Sequence, residues 1–208
     1  RLNESKIPNI DLSRASANAI PGSAFRNAIY LRSFKFPNSI TRIGHSAFES
    51  CKELSNDLVI PNSVTEIGPY AFYNCKSLSG ELIIPNSVTE IGSFAFRDCS
   101  GLSGELIIPN SVTSIGEYAF AWCSGFTGDL IIPNSLTEIS DSAFRGCSGL
   151  NGRLIIPDSV TNIGHSAFYN CKSLSGELII PNSVTSIDYS AFAWCSGFTG
   201  DLVIPNSL

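Results

Sequence analysis

The stretch from Gly80 to Cys123, GELIIPNSVTEIGSFAFRDCSGLSGELIIPNSVTSIGEYAFAWC, repeats itself with few changes after 24 residues. The period of 24 residues runs without slippage from residue 34 onward. Proline recurs at Pro37, Pro61, Pro85, Pro109, Pro133, Pro157, Pro181 and Pro205, and phenylalanine at Phe48, Phe72, Phe96, Phe120, Phe144, Phe168 and Phe192. All seven cysteines share one phase, from Cys51 through Cys75, Cys99, Cys123, Cys147 and Cys171 to Cys195. A unit this short cannot bury its own apolar face. Tandem copies can do so only by stacking, which confines the chain to repeat architectures.

Within one unit the apolar spacing changes character. Leu82, Ile83 and Ile84 form a short β-branched run stopped by Pro85, which reads as a strand ending where a backbone donor is lost. SVTEIG offers a second short extended segment, with Val88 and Ile91 facing inward. Gly92 is expected to take a positive φ in a turn, with Ser140 and Asp188 standing there in later copies. In SFAFRDC, the spacing of Ala95, Phe96 and Cys99 predicts one turn of α- or 3₁₀-helix. Gly104 and its equivalents, with Asn56 in one copy, turn the chain back toward the next strand. Successive strands would pair in parallel at ~4.8 Å, giving a stack on the order of 40 Å long.

Composition removes several classes of function. The 208 residues are 43% hydrophobic and only 15% charged, with a net charge of −5. That balance argues against nucleic-acid partners, which need clustered Lys and Arg. No apolar run approaches the ~18 residues of a membrane span, so no membrane insertion is expected. The absence of Met and the close at IPNSL, inside a repeat, predict a piece of a longer protein.

The run IPNSVTEIGSFAFRDC, Ile84 to Cys99, resembles the BspA-like, or Treponema-type, leucine-rich repeat, with its pattern I-P-x-S-V-T-x-I-G-x-x-A-F-x-x-C. The resemblance covers residues 34–208 closely and residues 10–33 loosely. It implies a leucine-rich-repeat solenoid, right-handed and curved, displayed outside or on the surface of a microbial cell. It further implies adhesion or host-protein binding, without enzyme activity or cofactor. The first copy, IDLSRASANAIPGSAFRNA, keeps Ile10, Leu12, Ile20 and Phe25 but carries Ala28 in the cysteine phase and one extra residue between Leu12 and Ala17. Residues 1–33 therefore read as an N-terminal cap or degenerate first repeat, and residues 34–208 as tandem repeats with the last one truncated. Asn3-Glu4-Ser5 is a lone glycosylation sequon in the first segment.

Chemistry-bearing residues are expected to serve the scaffold. The cysteine count is odd and each Cys follows a core Phe by three residues, so a row of free, buried thiols is the expectation over disulfides or metal. His45 and His165 share a phase five coils apart, too distant for a common ligand. The many Ser residues lack a positioned base, so no catalytic or metal site is expected. Asp57, Glu81, Glu105, Asp129, Glu177 and Asp201 form an acidic row interrupted by Arg153. Such a row is either a wet edge or an attractor of cations and basic partners. The Asn row from Asn38 to Asn206, with Asp158 in one copy, is expected to hydrogen-bond neighbouring coils or the turn backbone.

Two surfaces remain for binding. If Leu82 and Ile84 point inward, alternation sends Ile83 outward, and Val59, Ile107, Ile131, Ile155, Ile179 and Val203 with it. Many members of the resembled family carry Thr there. The strip is either a binding patch or a set of residues that simply suit strands. The second surface is where copies differ: Tyr70, Phe94 and Tyr118 before the core Ala, and Trp122 and Trp194 before Cys. These are candidate recognition residues for an extracellular protein or glycan, with self-association through the strip as a further expectation. The alternative is a structural spacer or assembly subunit. YNCKSLSGELIIPNSVT stands at both 73–89 and 169–185, and AFAWCSGFTGDL at both 119–130 and 191–202, which favours length over a unique site.

Overall fold

Proline sets where the first strand of each unit stops, and side-chain alternation sets which way it faces. In the computed structural model, which describes residues 6–205 and 207, the chain winds into a parallel β-solenoid of about seven coils of roughly 24 residues. Asn3-Glu4-Ser5 and Asn206 lie outside the described residues. One side of the stack carries the strands before proline. Asn9–Asp11 pairs with Ser33–Lys35, Gly80–Ile83 with Leu102–Ile107, that strand with Phe126–Thr127, and Leu130–Ile131 with Leu154–Ile155. Single bridges join Val59 to Ile83 and Ile179 to Val203.

A second side carries the short strands after proline. Ala19–Ile20, Arg42–Ile43, Glu66–Ile67, Glu90–Ile91 and Ser114–Ile115 make one sheet; Glu138–Ile139, Asn162–Ile163 and Ser186–Ile187 make another. These pairings are parallel and join like positions of neighbouring coils, whereas on the first side Gly80 meets Leu102 before the register shifts and Ile83 meets Ile107. In the first coil Asn9 meets Ser33 but Ile20 meets Ile43, so the extra residue of that copy is taken up between the two strands.

The third side corrects the sequence reading. No helix is present among the described residues; AFxxC and its flanks form a run of turns. The reason is where the N–H groups go. Those of Phe94, Phe96 and Asp98 reach forward to the carbonyls of Glu117, Ala119 and Ala121 in the next coil, at 2.8–2.9 Å. Those of Ala95, Arg97 and Cys99 bond back three residues within their own coil, at 3.1–3.2 Å. A helix would commit every N–H to its own segment and leave the neighbouring coil without partners. Two left-handed residues per coil make the alternation fit, here Phe94 at φ 61° and Asp98 at φ 62°.

The glycine before this run has a different cause from the one expected. Gly92 does not have positive φ; a Cβ there would lie 2.5 Å from the Pro69 backbone nitrogen of the preceding coil. Glycine is required by close backbone approach. Gly104, by contrast, does turn the chain with φ 78°.

Between the three sides runs the core. The phenylalanines stack nearly parallel, Phe48 on Phe72 at 5.3 Å and 3°, and so on to Phe168 on Phe192 at 5.3 Å and 10°. Seven free cysteines run alongside, six buried and Cys195 half-buried. Each S–H donates to the Phe carbonyl of the preceding coil, as Cys99 Sγ does to Phe72 O at 3.0 Å. The same carbonyl accepts the Cys75 N–H at 3.2 Å. A cysteine is thus both a small apolar filler and a donor. Polar rungs come from Ser and Thr rather than from the Asn row. Ser87, Ser159 and Ser183 reach the carbonyls of Val64, Leu136 and Val160 at 2.6–2.7 Å, and Thr89 reaches Thr65 O at 3.2 Å. Of the Asn side chains in that row, Asn110 accepts the Asn134 N–H at 3.2 Å, and the residues stand exposed.

One step of the stack is opened. The second ladder stops at Ser114–Ile115 and restarts at Glu138–Ile139, where the arriving coil carries Ser140 in place of glycine. The Ser140 hydroxyl donates to Ile115 O at 2.6 Å. Elsewhere a backbone N–H takes that place, as from Gly92 to Ile67 O and from Gly164 to Ile139 O, each at 2.8 Å. A hydroxyl competing for the ladder's acceptor diverts it. Asp188, in the same phase, keeps the backbone bond to Ile163 O at 2.8 Å, because its carboxylate has no proton to offer that carbonyl. Two enlarged core residues accompany the break: Phe126, fully buried where most coils have Leu, and Leu136, buried where most have Val. The phenylalanine stack stands at 5.7 Å both here, between Phe120 and Phe144, and at the next step, between Phe144 and Phe168.

Replacing Ser140 with Gly is expected to restore two ladder bonds of about 1 kcal/mol each, against about 0.5–1 kcal/mol of glycine entropy. The variant should melt slightly higher and protect the residue 140 amide from hydrogen exchange; an unchanged exchange rate there would refute the competition argument.

The thiol row predicts alkaline sensitivity. Burial pushes the thiol of Cys147 up to about 12 and that of Cys195 to about 11, from an ordinary 9.0. Raised folded-state values mean the contribution is whole below pH 9 and is lost as pH rises toward 11–12. Thermal melting should therefore weaken above pH 9, and Cys195 should be the first thiol modified.

Candidate binding surfaces

Alternation along each pre-proline strand puts Leu82 and Ile84 in the core and Ile83 outside, and stacking aligns the outside residues. Val59 is 72% exposed, Ile107 66% and Ile155, the most covered, 37%. Ile83, Ile131, Ile179 and Val203 lie in the same exposed row. Two residues earlier on the same outward face stand Asp57, Glu81 and Glu105, all exposed. The aliphatic row therefore runs beside a carboxylate row, ~6.6 Å away along the strands.

Two ion pairs interrupt this face. At one end Lys35, in the phase of Val59, meets Asp11 at 3.2 Å. The Asp11 carboxyl is lowered to about 2 by hydrogen bonds from Ser13 and from Lys35. Five coils on, Arg153 replaces the carboxylate. Its guanidinium meets Asp129 at 2.8 Å and its backbone N–H meets the same carboxylate at 2.7 Å. These bonds hold the Asp129 carboxyl below its ordinary range and raise Arg153. A cavity of 410 Å³ opens on the strip at the irregular step, walled by Ile107, Ile131, Ile155, Pro133 and Pro157 among others.

The turn side carries the aromatic residues. Tyr70 stacks on Phe94 at 4.6 Å and 5°, and Phe94 on Tyr118 at 4.8 Å and 8°. All three occupy left-handed backbone positions, φ 55–61°, which cost a bulky residue ~1–2 kcal/mol. Later coils place Ser142, Ser166 and Ser190 there. Trp122 and Trp194 take the second left-handed position, at φ 62° and 63°. They differ in setting: Trp122 is half-buried, while Trp194 is 72% exposed.

Two arginines that sequence reasoning missed organise these rings. The Arg97 guanidinium lies 5.4–5.7 Å from the centroids of Tyr73, Phe94 and Tyr118. That of Arg145 lies 4.3 Å from Tyr169 and 5.9 Å from Trp122. His45 packs edge-on against Tyr70 at 5.6 Å, and His165 stacks on Tyr189 at 5.7 Å. Beside the interrupted second ladder, Glu117, Glu138, Asp141 and Asp188 line a concavity of 270 Å³. Among the described residues, no group of three His, Cys, Asp or Glu could hold a metal ion, and no helix is long and apolar enough to cross a membrane.

A family model described as the BspA type leucine rich repeat region (6 copies) matches residues 2–127 and 70–199. The chain belongs to the BspA-type leucine-rich repeat family. A leucine-rich repeat protein of T. pallidum is 28% identical, with a TM-score of 0.66 over 77% of this chain and 74% of its own. A leucine rich cell surface protein of Faecalibacterium prausnitzii A2-165 is 27% identical, with a TM-score of 0.60 over 94% of this chain and 60% of its own. A leucine-rich repeat protein from Bacteroides ovatus is 25% identical, with a TM-score of 0.65 over 91% and 62%. The chain thus spans about three-fifths of the length of the latter two. A search of curated proteins finds no match.

Within this BspA-type scaffold the candidate residues fall into two sets. The strip residues are brought into one row. The aromatic residues divide: Tyr70, Phe94 and Tyr118 cover one another's ring faces, and Trp122 lies on the next coil, where a Cβ on Gly146 would enter its indole ring. The sequence signal for that contact was the lone glycine of the second left-handed row, Gly146, in the coil after Trp122. Gly146, at φ 71°, is constrained twice. Gly146→Ala is expected to cost about 2 kcal/mol and to shift tryptophan emission to the red, since Trp194 is already exposed. A stable variant with unchanged emission would contradict the contact.

Proposed function

We propose that this chain is a non-catalytic, surface-displayed solenoid that binds a protein partner through its outward aliphatic strip. The observation that carries the reading is the row itself. Seven aliphatic side chains stand exposed in register on one face, a few hundred Å² of contiguous apolar surface of the kind that marks interaction sites. The cell-surface description of the Faecalibacterium relative supports a bacterial surface location. A protein is favoured over a glycan for this patch. Sugars need open aromatic faces, whereas the strip is aliphatic and the Tyr70–Phe94–Tyr118 rings cover each other. A spacer role is the second reading, favoured by the identical blocks at 73–89 and 169–185.

The test is Ile107→Thr together with Ile131→Thr, at the middle of the strip. Thr also favours strands and both positions are more than half exposed, so melting should fall by no more than about 1 kcal/mol equivalent. Wild-type chain immobilised against a panel of extracellular-matrix proteins should show saturable binding that the double variant loses. Equal binding by both would refute the reading, and an absence of any binding partner would favour the spacer.

A further inference from the structure

The strip is bounded, and its bounds carry charge. Between the Lys35–Asp11 pair and Arg153, four coils present Val59, Ile83, Ile107 and Ile131 beside Asp57, Glu81 and Glu105. Cations fence both ends; the middle is apolar along one line and anionic along the next.

From this, and resting on the reading of the strip as the binding face, we propose that the partner element is a cationic amphipathic helix of about three turns lying along the solenoid axis. Three coil spacings of ~4.8 Å span roughly 14–15 Å, and three helical turns of ~5.4 Å span about 16 Å. An extended segment repeats its same-face side chains every ~6.8 Å and falls out of step with the rows after two coils. Helical apolar positions at i, i+3/i+4 and i+7 would follow the aliphatic row. Lys or Arg along one flank would face Asp57, Glu81 and Glu105. A longer cationic helix would meet Lys35 or Arg153, which limits the length. The 410 Å³ cavity beside Ile107, Ile131 and Pro133 receives one bulky apolar anchor near one end of the helix, as interface anchors seat in pockets. That cavity lies at the step where Phe126, Leu136 and Ser140 open the stack.

The experiment is fluorescence anisotropy with a labelled peptide of about 11 residues, of Leu, Lys and Ala in helical periodicity, beside versions carrying Glu or Ser in place of Lys. The Lys peptide is expected to bind, the Glu peptide not. Ile107→Thr with Ile131→Thr should weaken the Lys peptide about tenfold. Glu81→Gln with Glu105→Gln should weaken it about fivefold at 50 mM salt, less at 0.5 M. Glu90→Gln with Glu138→Gln, the same charge change on another side, should have no effect. If the strip variant abolishes Ser-peptide binding while Glu81→Gln with Glu105→Gln changes nothing, the strip reading stands and the cationic helix is overturned. If binding follows net charge in both carboxylate pairs and ignores the strip, both are overturned.

Discussion

Each coil satisfies its backbone with the coil before and after it, and this exchange governs everything else in the molecule. Among the described residues a unit of 24 has no internal sheet and no helix; on each of the three sides N–H groups find carbonyls in a neighbour, on the turn side every second one. Exchange at a fixed spacing forces like residues into rows, and a row admits only what can stand above itself. Phenylalanine can, by offset stacking. Cysteine can, because its S–H reaches a carbonyl one coil away. Glycine is needed where two backbones pass too closely for a Cβ, as at Gly92 over Pro69. The near-identity of the copies is thus a packing requirement before it is a record of duplication.

The same exchange explains which parts of the structure the sequence disclosed. Period, strand positions and the inward and outward rows follow from alternation and proline alone, so the burial of Leu82 and Ile84 and the exposure of Ile83 were legible. The turn run was not. Ala95, Phe96 and Cys99 show a spacing compatible with a helix, and only the destination of every second N–H, in a coil not adjacent in sequence, decides otherwise. Gly92 was placed correctly and explained wrongly, because identity alone does not separate positive φ from close approach. The Ser and Asn rows are sequence neighbours with similar hydrogen-bonding capacity. Which of them reaches the next coil depends on side-chain direction, and the shorter Ser87 does so where Asn86 stands exposed. Arg97 and Arg145 were invisible as ring partners, since the aromatic neighbours of Arg97 come from three coils and those of Arg145 from the two flanking its own.

Departures from the repeat then become the informative positions. Bulky residues at left-handed positions are disfavoured, and most coils avoid them with Ser, Asn, Asp or Gly. Tyr70, Phe94 and Tyr118 accept that strain in three consecutive coils. Ring stacking returns roughly 0.5–1.5 kcal/mol per pair, comparable to the strain of each residue, so a lone aromatic residue there would be a net loss while a continuous run is tolerated. In the first left-handed row the aromatic residues accordingly occur as a block, whereas in the second Trp122 and Trp194 stand singly, Trp122 against Gly146 of the next coil.

The irregular step follows the same logic with the opposite sign. Phe126 and Leu136 enlarge the core between two coils, and Ser140 withdraws a ladder acceptor on the adjoining side. On the turn side the step stays closed: Tyr118, Phe120 and Trp122 still donate to Asp141, Ala143 and Arg145. An enlarged core with one side held must open on the others, and the pre-proline side is where the aliphatic strip lies. The cavity walled by Ile107, Ile131 and Pro133 lies at this same step, beside the enlarged core residues. In a repeat whose outward residues hardly vary, the strip thereby acquires a distinguishable place at its middle, besides the hollow of 460 Å³ beside Lys35, Phe36 and Val59 at its first coil.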